Sequence, residues 1–237
     1  FVYRSIQNQI HKYYFASLRD ENPARPTAIL PAIQVMSNAT ILAPIDSFAG
    51  GTWIGINDSS NIIILLNGCF VKHTRKESYR KSRGLIVLEL LNSQLPIVEW
   101  ELADLHEIEP FTLMVWSNQM LFQLGWDGNK KHRMALDITI PHILSSSTLY
   151  DANAAQNRHN LFQDWISTDA AIHKLSLLNF FKSHDDLENG FLMNRNEQVK
   201  TLSYSFIELN TQDSIAELDY YDFQKFSHNV KTLPMKT

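Results

Sequence analysis

Thr52-Trp53-Ile54-Gly55-Ile56-Asn57, Asp58-Ser59-Ser60-Asn61 and Ile62-Ile63-Ile64-Leu65-Leu66-Asn67 form one continuous run that decides the fold class. The outer blocks are rich in β-branched and large apolar residues, which suit a pleated, half-buried surface. The four residues between them favour turns, because their side chains hydrogen-bond nearby backbone. The run therefore predicts a β-hairpin. Its longest apolar piece, Ile62 to Leu66, is far below the roughly 20 residues that would cross a bilayer.

Working outward, Phe1 to Ile6 and Tyr13 to Ser17 are apolar and aromatic stretches around a polar Gln7-Asn8-Gln9 connection, and predict an earlier hairpin. The segment between the hairpins carries Pro23, Pro26, Pro31 and Pro44. It is expected to be a loop, because proline donates no ladder hydrogen bond and breaks helix interiors. Downstream, Leu85, Ile86, Leu88 and Leu91 recur at helical spacing and predict a helix from Arg83 to about Asn92. Phe111 to Ser117, Met120 to Trp126 and Lys131 to Leu136 read as an antiparallel meander, joined at Ser117-Asn118 and Asp127-Gly128-Asn129. Asp151 to Ser167 and Asp169 to Ser183 each open on an acidic N-cap and carry apolar stripes that include Phe162, Trp165, Leu178 and Phe181, so two packed helices are expected. Thr201 to Leu209 and Ser214 to Asp222 alternate around Asn210-Thr211-Gln212-Asp213 and predict a closing hairpin. Hairpins at both ends with helical blocks between them favour an α+β layered domain with antiparallel sheets over a doubly wound parallel sheet.

With 237 residues, 44% of them apolar, and only 8 Gly and 8 Pro, the chain can bury one sizeable core, and a single domain over residues 1–237 is expected. The formal charge of -4 comes from basic and acidic residues mixed along the length, which argues against a nucleic-acid partner. One cysteine, Cys69, excludes an intramolecular disulfide framework and suits a reducing compartment, so the cytoplasm is the expected location. The sequence begins Phe1-Val2-Tyr3, with no methionine and no charged-then-apolar leader. Further residues are expected upstream, and no signal peptide is visible.

Phe15-Ala16-Ser17-Leu18-Arg19-Asp20-Glu21, followed by Arg25-Pro26, resembles an Asn-Arg-Asp-Glu signature. Ala43-Pro44-Ile45-Asp46, then Gly50 to Asn57, Leu66-Asn67 and Ser82-Arg83-Gly84 follow in the order of the same family. Phe111-Thr112-Leu113, Trp126-Asp127-Gly128, Ser145 to Tyr150, Arg158 and Thr201-Leu202-Ser203 also look like it. On these residues the chain resembles the NRDE family, also called the transport and Golgi organisation protein 2 family. It departs at Leu18, where the signature has Asn, so any hydrogen bond made by that Asn is lost. The resemblance implies a four-layer αββα sandwich of two antiparallel sheets, similar to the penicillin acylase, bile-salt hydrolase and acyltransferase branch of N-terminal-nucleophile hydrolases. Members of the family begin Met-Cys, so the implied nucleophile is a cysteine a few residues before Phe1.

An N-terminal nucleophile supplies both the thiol and, through its own α-amino group, a base of pKa about 8. No separate histidine is needed. The nine histidines show neither triad nor metal-ligand spacing, and no metal or cofactor is expected. The resemblance implies that Arg19 lies beside the nucleophile and favours thiolate over thiol. Asp20 and Glu21 point to opposite faces of a strand, so only one can approach the α-amine, and by resemblance either could. The blander alternative is a surface Arg-Asp or Arg-Glu pair. Asn67 is the implied oxyanion donor, a role worth on the order of 3 kcal/mol in other enzymes, or else a turn residue before Gly68. Glu21, Arg25, Trp53 and Arg83 are candidates to bind substrate, although an aromatic such as Trp53 in a strand is more often core. Gly50-Gly51 reads as a tight turn rather than a phosphate cradle. Cys69 reads as a buried filler, and His184-Asp185-Asp186 as a solvated charge cluster.

Two functions from different classes follow. One is a cysteine N-terminal-nucleophile amidohydrolase or acyltransferase acting on a non-peptide C–N bond of a small molecule, such as a linear amide. The alternative is a haem or acyl-CoA/lipid binding and trafficking protein without catalysis. The apolar helix faces leave a homo-oligomer open.

Overall fold

The computed structural model describes residues 2–7, 10–168 and 172–236. In chain order the elements are β1 (Val2–Gln7), β2 (Ile10–Glu21), β3 (Ile29–Val35), β4 (Thr40–Ile45), β5 (Ile54–Asn57), β6 (Ile62–Asn67), α1 (Arg83–Leu91) and α2 (Pro96–Leu102). There follow β7 (Phe111–Ser117), β8 (Met120–Trp126), β9 (Lys131–Leu136), α3 (Ala152–Ile166), α4 (Lys174–Lys182), β10 (Asn194–Arg195), β11 (Val199–Asn210), β12 (Ile215–Asp222) and β13 (Ser227–Pro234). One sheet runs β1-β2-β11-β12-β13, with β10 on β11, and the other runs β3 to β9 in sequence order. Every strand pairing within them is antiparallel.

The period of two along each strand sorts the apolar side chains into three layers. Tyr13 and Phe15 of β2, Ile207 and Leu209 of β11, Ile62 and Ile64 of β6, and Met114 and Trp116 of β7 meet between the sheets. Their neighbours Tyr14, Ala16, Tyr204 and Phe206 turn the other way, onto Phe162 of α3 and Leu177 and Phe181 of α4. On the far side, Ile63, Leu113 and Val115 pack against Ile86 and Leu90 of α1 and Trp100 of α2. Each large side chain so buried contributes about 1.5–3 kcal/mol. The result is a four-layer αββα sandwich.

The proline-marked segment is a loop around Pro23 and Pro26 but not throughout. It holds β3 and β4, with Pro31 in one and Pro44 in the other. Pro31 is accommodated because β3 is the edge of its sheet and its register shifts between Ile29 and Ala32, the settings in which a missing N–H costs no ladder bond. Pro44 lies beyond the β4–β5 pairing, which covers only Ile41 and Leu42. The second predicted helix starts later than expected, at Lys174, where His173 and Ser176 form a reciprocal capping box. The expected N-cap Asp169 lies outside the described residues, as do Asn8 and Gln9 of the first connection. Periodicity did not reveal α2 or β13.

Two irregularities aim side chains. Gly51 and Gly84 bring the β4–β5 connection against the start of α1, since a Cβ on Gly51 would lie 2.3 Å from the Gly84 carbonyl carbon. The Thr52 N–H donates to the Gly84 carbonyl at 3.1 Å. In β11 the register against β2 shifts between Thr201 and Ser203, so that Thr201 faces Asp20 and Ser203 faces Arg19. Such bulges re-aim side chains next to sites.

Candidate functional site

A cavity of about 200 Å³ opens where the end of β2 meets the connection leading into β5 and the end of β6. Its lining includes every candidate named from sequence: Arg19, Asp20, Glu21, Arg25, Trp53, Asn67 and Arg83. Apolar wall comes from Ile64, Leu66 and Met114 on one side and from Ile143, Leu149 and Phe191 on the other.

One face of the β2 end carries alternating charges. Arg19, 8% exposed, donates from Nη2 to Asp46 Oδ2 at 2.7 Å, and its guanidinium lies 4.7 Å from the Trp53 ring centroid. Asp46 Oδ2 also sits 3.4 Å from Arg25 Nε, and Arg25 Nη1 donates to Glu21 Oε2 at 2.8 Å. The backbone N–H groups of Phe48 and Ala49 donate to Asp46 Oδ1 at 3.0 and 2.9 Å. Burial alone would raise the Asp46 carboxyl, but the Ala49 amide, Arg25 and Arg19 together hold it below the usual carboxylate range.

The other face pairs its charges with neutral groups. Asp20 Oδ1 accepts from the Thr201 hydroxyl at 2.6 Å and Oδ2 from the Tyr150 hydroxyl at 3.2 Å. Burial pushes the Asp20 carboxyl up, partly offset by Thr201 and by the charge of Arg158. Burial likewise raises Tyr150, and lowers Arg158. Thr201 Oγ1 also accepts from the Met193 N–H at 2.9 Å.

Asn67 ends β6, and its carbonyl accepts from Ser146 Oγ at 2.8 Å. Gly68 follows at φ +82, and a Cβ there would strike Ser147 and Thr148, so the Ser145–Tyr150 segment lies tight against the strand end. Arg83 is held by Glu109 Oε2 at 3.1 Å and donates to the Pro110 carbonyl at 3.3 Å. Burial lowers its pKa, and Glu109 opposes that shift. Cys69 is buried, outside the cavity lining, with its thiol pushed up by burial. Among the described residues no group of three His, Cys, Asp or Glu side chains could hold a metal, and no helix is long and apolar enough to cross a membrane.

The sequence profile of the family described as Transport and Golgi organisation 2 matches residues 3–223. The chain belongs to this family. Among solved structures, this family member is similar to the conjugated bile acid hydrolase from Clostridium perfringens, at 11% identity and a TM-score of 0.54, covering 97% of this chain and 91% of that one. It is also similar to the Caenorhabditis elegans orthologue of N-acylethanolamine-hydrolyzing acid amidase, at 9% identity and a TM-score of 0.54, covering 87% and 91%. These likenesses show an N-terminal-nucleophile-hydrolase-like fold. No curated protein matches the chain.

Within this Transport and Golgi organisation 2 chain, the candidate list drawn from sequence left out Asp46, Tyr150 and Arg158. All three sit in stretches that carry the family resemblance, so the signal was present. What was missing was the pairing of Asp46 with Arg19 and of Tyr150 with Asp20, across 27 and 130 residues, which no local spacing encodes. Leu18, which departs from the signature, lines the cavity and packs against the outer core with its apolar side chain.

Proposed function

We propose that the chain is a cysteine N-terminal-nucleophile amidohydrolase or acyltransferase acting on a non-peptide C–N bond, with its thiol carried just before Phe1. The observation that carries this reading is the position of Arg19 along the path of β1. Val2 pairs with Phe15 and the strands are antiparallel, so residues extending β1 upstream would pass Ala16 to Leu18 and approach Arg19. A thiolate there is stabilised by the nearby guanidinium. The α-amine takes the thiol proton, the sulfur adds to the amide carbonyl, and the Asn67 amide donates to the oxyanion. Collapse breaks the C–N bond and returns the proton to the leaving amine. Water, or a second amine, then attacks the thioester and releases the acid, or a new amide, with the thiol restored. Asp20 and Glu21 remain the two carboxylates able to orient the α-amine.

Alkylation of the full-length chain by iodoacetamide, followed against pH, tests this. An N-terminal thiol should react with a lowered pKa, and Arg19→Ala should raise that pKa and slow acylation while the melting temperature confirms folding. An N-terminal thiol that is absent, or that titrates identically in both proteins, overturns the hydrolase reading.

A further inference from the structure

Four arginines line the cavity, and three of them face a carboxylate: Arg19 with Asp46, Arg25 with Glu21 and Asp46, and Arg83 with Glu109. Arg158 does not. It projects from α3, is 7% exposed, and among the described residues no carboxylate lies within the 4.0 Å of an ion pair. Its guanidinium is instead clamped between two rings, 4.1 Å from the Tyr150 centroid and 4.2 Å from that of Phe191. Nε donates to Ser145 Oγ at 3.0 Å, and Nη1 donates to the carbonyls of Asn189, at 3.3 Å, and Gly190. Gly190 makes this possible, because a Cβ there would lie 2.2 Å from the Asp186 nitrogen. Among the described residues Nη2 has no hydrogen-bond partner.

A cation fixed in this way differs from a surface arginine. Both faces are covered by aromatic rings, which favour a cation over their π-clouds, and two of the three nitrogens are spent on neutral acceptors. The planar group cannot swing out to solvent, and a free N–H edge remains beside a concave space. Burying a charge without a bonded counter-charge is costly, and an anionic ligand would offset that cost. Asp20 acts on Arg158 through its charge but forms no ion pair with it, its oxygens accepting from Thr201 and Tyr150 instead.

We infer that the free edge of Arg158 is an anion-binding subsite, and that the amides this cavity takes carry an oxyanion group such as a carboxylate. This names a substrate class for the proposed hydrolase and rests on that reading only for the word amide. The anionic group sits against Arg158, between the Tyr150 and Phe191 edges, while the apolar part lies along Ile64, Leu66 and Met114.

N-octanoylglycine and N-octanoylethanolamine test this as a pair, since the second has a hydroxymethyl group where the first has its carboxylate. Isothermal titration of the full-length protein at pH 7 should give the glycine conjugate about ten-fold or more tighter binding, the size expected of hydrogen bonds to a charged partner. Arg158→Met should bring the two affinities together, and Arg158→Lys should leave a reduced preference, since lysine keeps the charge but loses the planar fork. Equal affinities in the wild type, no binding of the glycine conjugate, or a preference unchanged in a folded Arg158→Met overturns the subsite. The wild-type ratio decides even if both variants fail to fold. A retained preference without turnover removes the hydrolase reading and leaves the subsite, whereas turnover of both conjugates at equal affinity does the reverse.

Discussion

The two faces of the β2 end solve one problem in opposite ways. On the face of Arg19 and Glu21, each charge meets an opposite charge, in the order Arg19, Asp46, Arg25, Glu21. On the face of Asp20, the acid is held by two hydroxyls and the nearby Arg158 by the Ser145 hydroxyl, two carbonyls and two rings. The first arrangement fixes its charge state, because the pairing depresses the Asp46 carboxyl. In the second, burial outweighs the two hydroxyls and the charge of Arg158, and pushes Asp20 towards its neutral form. Adjacent residues on one strand therefore make a rigid electrostatic frame on one side and an adjustable one on the other.

The largest expected effect is on the paired face. Asp46→Ala removes the carboxylate from a nearly buried Arg19 and should cost about 3–5 kcal/mol, as for a broken buried pair, read from urea denaturation. A cost below 1 kcal/mol would mean that Arg25 and Glu21 rearrange and the frame is not rigid. Thr201→Val should cost about 2 kcal/mol, because it leaves both the Met193 N–H and one Asp20 oxygen without a partner.

Asp20→Asn sharpens the contrast, since its sign is expected to be opposite. Asp20 has a folded pKa above its unfolded one, so ionisation works against folding. That penalty is absent below the usual carboxylate range and grows as pH rises towards the folded value. Asp20→Asn should thus be neutral or stabilising by about 1 kcal/mol at pH 7, and the gain should vanish near pH 3. Asp46, with its folded pKa depressed, contributes stability that is present above the usual carboxylate range and lost as pH falls through the folded value. Thermal melts of Asp46→Asn and Asp20→Asn across pH 3 to 7 should diverge, and parallel curves would erase the distinction. The smallest expected effect is that of Tyr150→Phe, about 0.5–1 kcal/mol, because the ring still covers Arg158 and only the bond to Asp20 is lost.

Much of the fold could be read from period-two alternation. Ile62 to Leu66 and Phe111 to Ser117 depart from it as near-continuous apolar runs, which fits their place as central strands with neighbours on each side and cores on both faces. The β3 and β4 strands were hidden by Pro31 and Pro44, whose cost depends on the edge position and partial pairing that only the assembled sheet reveals. β13 was hidden because its exposed side chains follow no clean alternation, its place being set by the ladder to β12. At the site, Arg19, Asp20 and Glu21 were visible as a cluster within one strand. Their partners Asp46, Tyr150 and Thr201 were not, since contacts between distant segments are fixed by topology rather than by spacing.

The contact between Gly51 and Gly84 also sets how finely the cavity can be adjusted. Two backbones touch there with no side chain between them, so Arg83, one residue before Gly84, takes its position from the hairpin opposite and not from its own helix. A methyl group at Gly84 would meet the Thr52 backbone at 3.0 Å, a distance that asks for a displacement of a few tenths of an ångström. Gly84→Ala thereby acts as a shim: it would shift one wall of the cavity by less than a bond length without altering any charge that faces the ligand.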